Sequence, residues 1–314
     1  MRVLVTGGAG FIGSHLVDFL VQEGYYVRVL DNLSTGKKEN LAHYLNKIEF
    51  IEGDIRDFKT CLKATEGMDG VFHLAALGSV PRSIESPEIS ISVNISGTVN
   101  IFSSARVAGI KKVIYASSSS VYGDSEELPK REGREGKVLS PYAYSKKSNE
   151  EVAELFHKIY GIDFIGLRYF NVYGPRQDPE GPYAAAVPRF FKAYLNNKPP
   201  EIYGDGKQTR DFTYVEDAVK ATYLAFIADG DALNKVYNVS GGRQTKILDL
   251  ALEIGKICNS NLKPLFKAPR KGDVLHSLAD LNLSKKYLNY KPSVFLEEGL
   301  QKSKDYYQKI FQKT

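Results

Sequence analysis

Apolar residues fall in short bursts along this chain, and the bursts alternate between two periods. Arg2 to Thr6 is a β-branched run, Ser14 to Glu23 sets Leu16, Val17, Phe19 and Leu20 at helical spacing, and Tyr26 to Leu30 is apolar again before Asp31. Strand, helix and strand are predicted in that order. Further short runs at Ile48–Ile51, Gly70–Leu74, Lys112–Ala116 and Asp163–Leu167 are separated mostly by helix-compatible stretches. Such alternation predicts an α/β fold, a doubly wound parallel sheet with helices on both faces. After Asn171 the pattern changes to a Gly, Pro and Tyr segment, Tyr173–Tyr183, then a helical stretch over Val187–Leu195 and turns at Pro199-Pro200 and Gly204-Asp205-Gly206. A helix over Asp217–Ala228 and one more strand over Val236–Val239 follow. The expected division is therefore residues 1–176 with about 211–240 as the sheet domain. A smaller C-terminal α/β domain would take 177–210 with 241–314.

Composition narrows the class of protein. With 314 residues, 43% apolar and 25% charged, the chain has enough apolar side chains for one large core and a smaller one. Lys and Arg exceed Asp and Glu by only 42 to 37, and the lysine pairs are scattered, so no nucleic-acid surface is expected. Cys61 and Cys258 are the only cysteines and have no partners at ligand spacing, which disfavours both a disulfide scaffold and a zinc site. No apolar run reaches the roughly 18 to 20 residues of a membrane span, and the chain opens on a strand, so a cytoplasmic protein without a leader is expected.

Two groups of residues carry chemistry. Gly7, Gly10 and Gly13 stand between the first strand and first helix, where glycine lets backbone approach a pyrophosphate lying at the helix amino end. Asp31 ends the second strand 18 residues after Gly13, placed to accept from an adenosine ribose and to repel a 2'-phosphate. The pair points to a dinucleotide, NAD rather than NADP, with Lys37 and Lys38 as the residues that speak for the phosphate. Downstream, Tyr142 and Lys146 are four apart at the start of a helical stretch expected over Ser145–Phe156, so phenol and ammonium share a face. A nearby ammonium favours the phenolate of a tyrosine whose ordinary pKa is about 10. The run Ser117–Ser120 follows a strand at the carboxyl edge of the sheet, where a hydroxyl can orient a substrate alcohol.

Taken together, Thr6–Ser14, Asp31-Asn32, Gly53–Ile55, His73–Ala76, Asn94 with Gly97-Thr98, Tyr142–Lys146 and Arg168–Asn171 resemble the extended short-chain dehydrogenase/reductase family of nucleotide-sugar epimerases and dehydratases. The likeness runs on through Gly204–Asp211, Tyr214–Asp217 and Arg270–Asp273 and so covers nearly the whole chain. Ala75–Ser83, Leu139–Tyr142, Gln177–Pro179 and His276–Asp280 resemble bacterial and archaeal UDP-N-acetylglucosamine 4-epimerases, and the chain as a whole is similar to these and to UDP-glucose 4-epimerases. The resemblance implies a Rossmann domain holding NAD through Gly7, Gly10, Phe11, Ile12, Gly13, Asp31, Asn32, Ser34, Thr35, Gly36, Asp54, Ile55, Leu74, Ala75, Ala76, Asn94, Ser117, Tyr142, Lys146 and Phe170. It assigns Ser118, Tyr142 and Lys146 to catalysis. The nucleotide sugar falls to Gly78, Ser79, Ser118, Ser119, Ser120, Tyr142, Asn171, Ala185, Ala186, Val187, Tyr203, Arg210, Arg270, Asp273 and Ser277.

Within that family, 4,6-dehydratases carry Thr-Asp-Glu where this chain has Ser118, Ser119 and Ser120, and uronate decarboxylases carry a glutamate in the same stretch. Without those carboxylates, epimerisation at C4 through a transient 4-keto sugar is the expected reaction. Ser277 stands where relatives restricted to unacetylated sugars have a bulky Tyr, which implies tolerance of an N-acetyl group. A UDP-glucuronate-type epimerase or a 4-keto-sugar reductase would use the same motifs, and a non-enzymatic dinucleotide sensor is the remaining alternative. The resemblance further implies a homodimer formed through helices near Thr98–Ala108 and Ser145–Ile159.

Overall fold

The computed structural model describes residues 1–180, 184–269 and 275–311. Its centre is a parallel sheet of seven strands. Six are β1 (Arg2–Thr6), β2 (Tyr26–Asp31), β3 (Glu49–Glu52), β4 (Gly70–His73), β5 (Lys112–Ser118) and β6 (Asp163–Tyr169), and the seventh is the edge strand Lys235–Val239. They lie in the order edge strand, β6, β5, β4, β1, β2, β3. The order reverses between β1 and β4, and that crevice at the carboxyl ends of the strands is where ligands settle in such sheets.

The apolar runs read from the sequence are buried on both faces, as a sheet covered on two sides requires. Val3, Val5, Val27 and Val29 pack with Leu16, Val17 and Leu20 of the helix Phe11–Gln22 and with Ala218, Ala221 and Ala225 of the helix Val215–Ile227. On the opposite face Leu4, Leu30, Val71 and Val113 pack with Cys61, Ile101, Phe102, Ala153 and Phe156. A third core, with Tyr173, Phe190, Phe191, Leu250, Ile254, Leu300 and Tyr307, joins the helices Ala186–Leu195, Ile247–Ile257 and Leu296–Phe311. No described helix is long and apolar enough to cross a membrane.

Three boundaries differ from the sequence reading. The first helix begins at Phe11, capped by Gly10, so Gly13 lies inside its first turn rather than before it. The helix expected over Ser145–Phe156 runs from Pro141 to Tyr160, because Ser140 caps it by accepting from the Ala143 amide and Pro141 fills the first position. The division at 241 also needs correcting. Ala279, Leu281, Leu288 and Tyr290 pack into the first core, and the Ser284 hydroxyl and the Tyr290 phenol bond the carbonyls of Asn238 and Ser240 at the edge strand. Loss of the turn pattern hid this return, since the helix Asn282–Leu288 is too short to show a clear period.

Candidate active site

A cavity of about 330 Å³ opens at the order reversal. Gly7, Gly10, Phe11, Ile12 and Gly13 form its floor, Asp31, Asn32, Ser34, Thr35 and Ile55 one wall, and Leu74, Ala75, Ala76 and Gly78 the other. The glycines there are demanded by contact. Gly7 has φ +71°, and a Cβ on it would stand 2.7 Å from the Ala75 amide nitrogen, while a Cβ on Gly13 would stand 2.1 Å from the Gly7 carbonyl oxygen. That cradle brings backbone and the helix amino end against whatever enters, which suits a pyrophosphate.

Asp31 is held in place before any ligand arrives. Its oxygens accept from the amides of Ala9 at 2.9 Å and Leu33 at 2.8 Å, and burial pushes its carboxyl up against those bonds. Gly36 backs directly on Asp31. Asn32 donates to Asp54 at 3.0 Å, and Arg56 grips the same carboxylate, holding it down at about 2. Neither lysine that spoke for a 2'-phosphate turns its ammonium into the cavity. Lys37 pairs with Asp178 at 3.7 Å and Lys38 lies over the Phe50 ring.

Three residues expected at the cofactor are occupied behind the cavity wall. Asn94 is fully buried and braces Leu77 from both sides, accepting from its amide at 2.8 Å and donating to its carbonyl at 3.2 Å. Ser117 gives its hydroxyl proton to Glu150 at 2.6 Å. Phe170 is fully buried in the first core. A chain of buried groups also fixes the wall, in which His73 bridges Thr6 at 2.7 Å and Thr98 at 2.9 Å.

The candidate catalytic groups converge beside Ala116, a lining residue of the same cavity. Lys146 donates to the Ala116 carbonyl at 2.8 Å. Tyr142 lies one helical turn earlier, and burial pushes its phenol up while a hydrogen bond with the Ser118 side chain opposes that shift. Ser118 also accepts from the Ser120 amide at 3.1 Å, and the Ser120 hydroxyl oxygen is buried without a hydrogen bond. Burial lowers Lys146 to about 8, with the Glu150 charge working the other way.

That shift has a stability consequence. Between about pH 8 and 10 the unfolded chain binds the Lys146 proton more tightly than the native one, so native stability climbs with pH across that window and is least below it. Lys146→Met is expected to stabilise the NAD-free protein at pH 7 by roughly 1–3 kcal/mol and to flatten the climb above pH 8. Urea unfolding at pH 7 and pH 10 measures both, and equal destabilisation at the two pH values would contradict the assignment.

Beneath these groups Glu150 accepts twice from Arg168, at 2.8 Å from Nε and 2.8 Å from Nη2, and Arg168 also pairs with Glu135. Arg168 and Glu150 are both nearly inaccessible. Removing the guanidinium leaves the buried Glu150 carboxylate with only Ser117 at 2.6 Å and Lys147 at 3.7 Å, and breaking a buried pair in this way costs about 3–5 kcal/mol. Arg168→Met is expected to lower stability by that amount in urea unfolding, while a loss under 1 kcal/mol would show the network to be replaceable.

A second cavity, about 380 Å³, lies beyond the ends of β5 and β6. Ser118 pairs in register with Tyr169, two residues before Asn171, and follows Ala116 of the first cavity by two residues, so the serine run lies in the chain close to lining residues of both cavities. Asn171, Ala185, Ala186, Val187, Tyr203 and Arg210 all line this one. Its other lining residues include Pro81, Gln177, Arg189 and Gln208, which the sequence reading did not assign to the site. Arg189 carried a signal, standing three residues after Ala186 on a helix face, and its guanidinium sits 5.4 Å from the Tyr203 ring centre. Gly78, expected at the sugar edge, lines the first cavity. Ser79 caps the short helix Val80–Glu85 by accepting from Arg82. Ser119 follows Ser118 in a turn of 3-10 helix. Ser277 is buried and lines neither cavity. Arg270 and Asp273 lie outside the described residues.

Comparison with known proteins agrees with this geometry. Residues 3–240 match the family model for the NAD dependent epimerase/dehydratase family. A UDP-glucose 4-epimerase of Mycolicibacterium smegmatis is 39% identical over 311 residues, covering 98% of each chain. A UDP-N-acetyl-alpha-D-glucosaminuronate decarboxylase of Bacillus cytotoxicus is 36% identical over 98% of each chain. Among solved structures, Thermotoga maritima UDP-glucose 4-epimerase with UDP-glucose superposes with TM-score 0.94 at 39% identity, covering 99% of each chain. UDP-N-acetylglucosamine 4-epimerase of Methanobrevibacter ruminantium, in complex with UDP-N-acetylmuramic acid, gives TM-score 0.93 at 41% identity, covering 98% of this chain and 97% of that one.

Proposed function

Because this chain belongs to the NAD-dependent epimerase/dehydratase family and takes NAD as its cofactor, we propose that it inverts C4 of UDP-sugars, UDP-N-acetylglucosamine and UDP-glucose among them. The observation that carries this reading is the set of groups at the end of β5. Ser118, Ser119 and Ser120 bring hydroxyls and no carboxylate beside Tyr142. Elimination of water or loss of a carboxyl group needs a further acid or base there, whereas epimerisation needs only one proton taken and returned.

When bound, NAD supplies reversible acceptance of the C4 hydride. Tyr142 takes the proton of the 4-hydroxyl and gives it back once the 4-keto sugar has turned over in the site. Ser118 holds the 4-oxygen and, through its hydrogen bond, works against the rise that burial gives the Tyr142 phenol, while Lys146 lies one turn along the helix to hold the cofactor's ribose. Arg210 and Arg189, at the second cavity, bring the guanidinium groups that a diphosphate wants. Asn171, Ala185–Val187 and Tyr203 shape that cavity for the nucleotide. The 1–176 half, with the helix Val215–Ile227, holds the cofactor, and the third core carries the nucleotide sugar.

We also read the protein as a homodimer. Val107 on one helix and Tyr144, Leu155 and Ile159 on the helix Pro141–Tyr160 are large apolar residues left exposed, enough to seed an isologous contact.

The test is incubation of the purified protein, without added cofactor, with UDP-N-acetylglucosamine and separately with UDP-glucose, following each C4 epimer by proton NMR. Interconversion without net cofactor consumption is expected. No change in either sugar after NAD is supplied would remove the 4-epimerase reading, and stoichiometric consumption of NADH would replace it with a reductase.

A further inference from the structure

The segment 171–178 touches both halves of the protein. On one side Asn171, Tyr173 and Gln177 line the cavity assigned to the nucleotide sugar. On the other it is fastened to the helix Phe11–Gln22, whose first residues form the floor of the NAD cavity. Two contacts make that fastening, and a third ties the segment to Lys37 beyond β2. The Pro175 carbonyl accepts from His15 Nε2 at 2.9 Å, Arg176 Nη2 pairs with Asp18 at 2.6 Å, and Asp178 pairs with Lys37 at 3.7 Å.

The chain is bent to reach these partners. Asn171 and Arg176 both have positive φ, +35° and +66°, which side chains other than glycine rarely adopt. Backbone held in such a region persists where surrounding contacts determine it. The Arg176 and Asp18 side chains are only 16% and 18% exposed, and Arg176 Nη1 and Asp18 Oδ1 are buried without other hydrogen bonds. Each ion's side-chain hydrogen bond is to the other, so parting the segment from the helix would leave both to be solvated. Burial keeps the His15 imidazole neutral, at about 4, so its Nε2 hydrogen faces the Pro175 carbonyl throughout the ordinary pH range.

We propose that segment 171–178 is a latch, closed by Asp18 and Arg176, through which occupancy of the nucleotide-sugar cavity governs how tightly the first helix keeps NAD. Asp18 and Arg176 are positioning residues in this scheme and touch neither ligand. A nucleotide that packs against Asn171, Tyr173 and Gln177 favours the made pair, and reciprocity requires that NAD favour nucleotide binding by the same factor. This coupling rests on the nucleotide-sugar reading. The closure itself rests only on NAD binding.

The experiment measures NAD dissociation from purified holoprotein, trapping released NAD with ethanol and alcohol dehydrogenase, with and without UDP. Calorimetry records separately whether UDP binds. Asp18→Asn and the charge-keeping Arg176→Lys are compared with the parent, with thermal unfolding of each, and the double variant completes a cycle. Expected results are release at least tenfold faster in Asp18→Asn, a smaller change in Arg176→Lys, no further change in the double variant, and slowing by UDP in the parent alone. Should UDP bind yet leave parental release unchanged, or slow parent and variants equally, the coupling is overturned. Should UDP fail to bind at all, the nucleotide-sugar reading falls, and the closure is then decided by release without UDP. Parental release rates in folded variants overturn it.

Discussion

Tyr142→Phe will reduce 4-epimerisation by about a thousandfold while the protein keeps its fold and its NAD. The phenol is the group placed to take a proton at the end of β5, and general acid–base groups contribute about 10² to 10⁴ in rate. Its neighbours, rather than its burial, support this use. Burial raises the phenol and the hydrogen bond with Ser118 opposes that rise, while Lys146 stands one turn along the same helix. The fold should tolerate the change, because the Tyr142 amide is held independently, donating to the Ser83 hydroxyl at 3.0 Å. Turnover by proton NMR, with NAD content measured after acid release, separates chemistry from binding. Near-parental turnover with intact NAD would mean that another group moves the proton.

Gly13→Ala will strip the protein of retained NAD. An added Cβ would lie 2.1 Å from the Gly7 carbonyl oxygen, a backbone atom that cannot rotate aside. Gly7 in turn is pinned, its amide donating to Leu30 at 2.8 Å and its carbonyl accepting from Gly10 at 3.1 Å. Relief therefore requires the whole turn to shift, at an overpacking cost of about 1–3 kcal/mol, or roughly ten- to a hundredfold in NAD affinity. The assay is NAD content of the purified variant, followed by titration of activity against added NAD. Stoichiometric NAD in purified Gly13→Ala would show that the cradle yields to a methyl group and that the pyrophosphate is held elsewhere.

The sheet and the cofactor turn were legible because their signals are local. β-branched runs bury on a two-sided sheet wherever they lie, and Gly13 records a close approach to the Gly7 carbonyl six residues earlier, whereas Gly7 itself is demanded by Ala75 far along the chain. The nearness of Tyr142 and Lys146, four apart on one helix, and the place of Ser118 at a strand end were legible for the same reason. That helix nevertheless starts four residues before the expected place, since Ser140 and Pro141 are a capping signal that the apolar period does not contain.

What the sequence could not show is which polar residues spend their groups on the protein itself. Asn94 and Ser117 look like ligand contacts in the chain, yet one braces Leu77 and the other is bonded to Glu150, 33 positions away. Lys37 and Lys38 look like phosphate ligands until Asp178 and Phe50 are brought to them. The return of 279–290 to the first core, the joining of Arg176 to Asp18 across 158 positions, and the presence of Arg189 at the second cavity belong to the same class. The sequence by itself determined the period of each element and the tight glycine turn from Gly7 to Gly13, which are set by sterics within a few residues. Only the tertiary structure decided the partners of the buried ions and amides, because a polar group removed from water must bond to whatever the fold places beside it, at any distance along the chain.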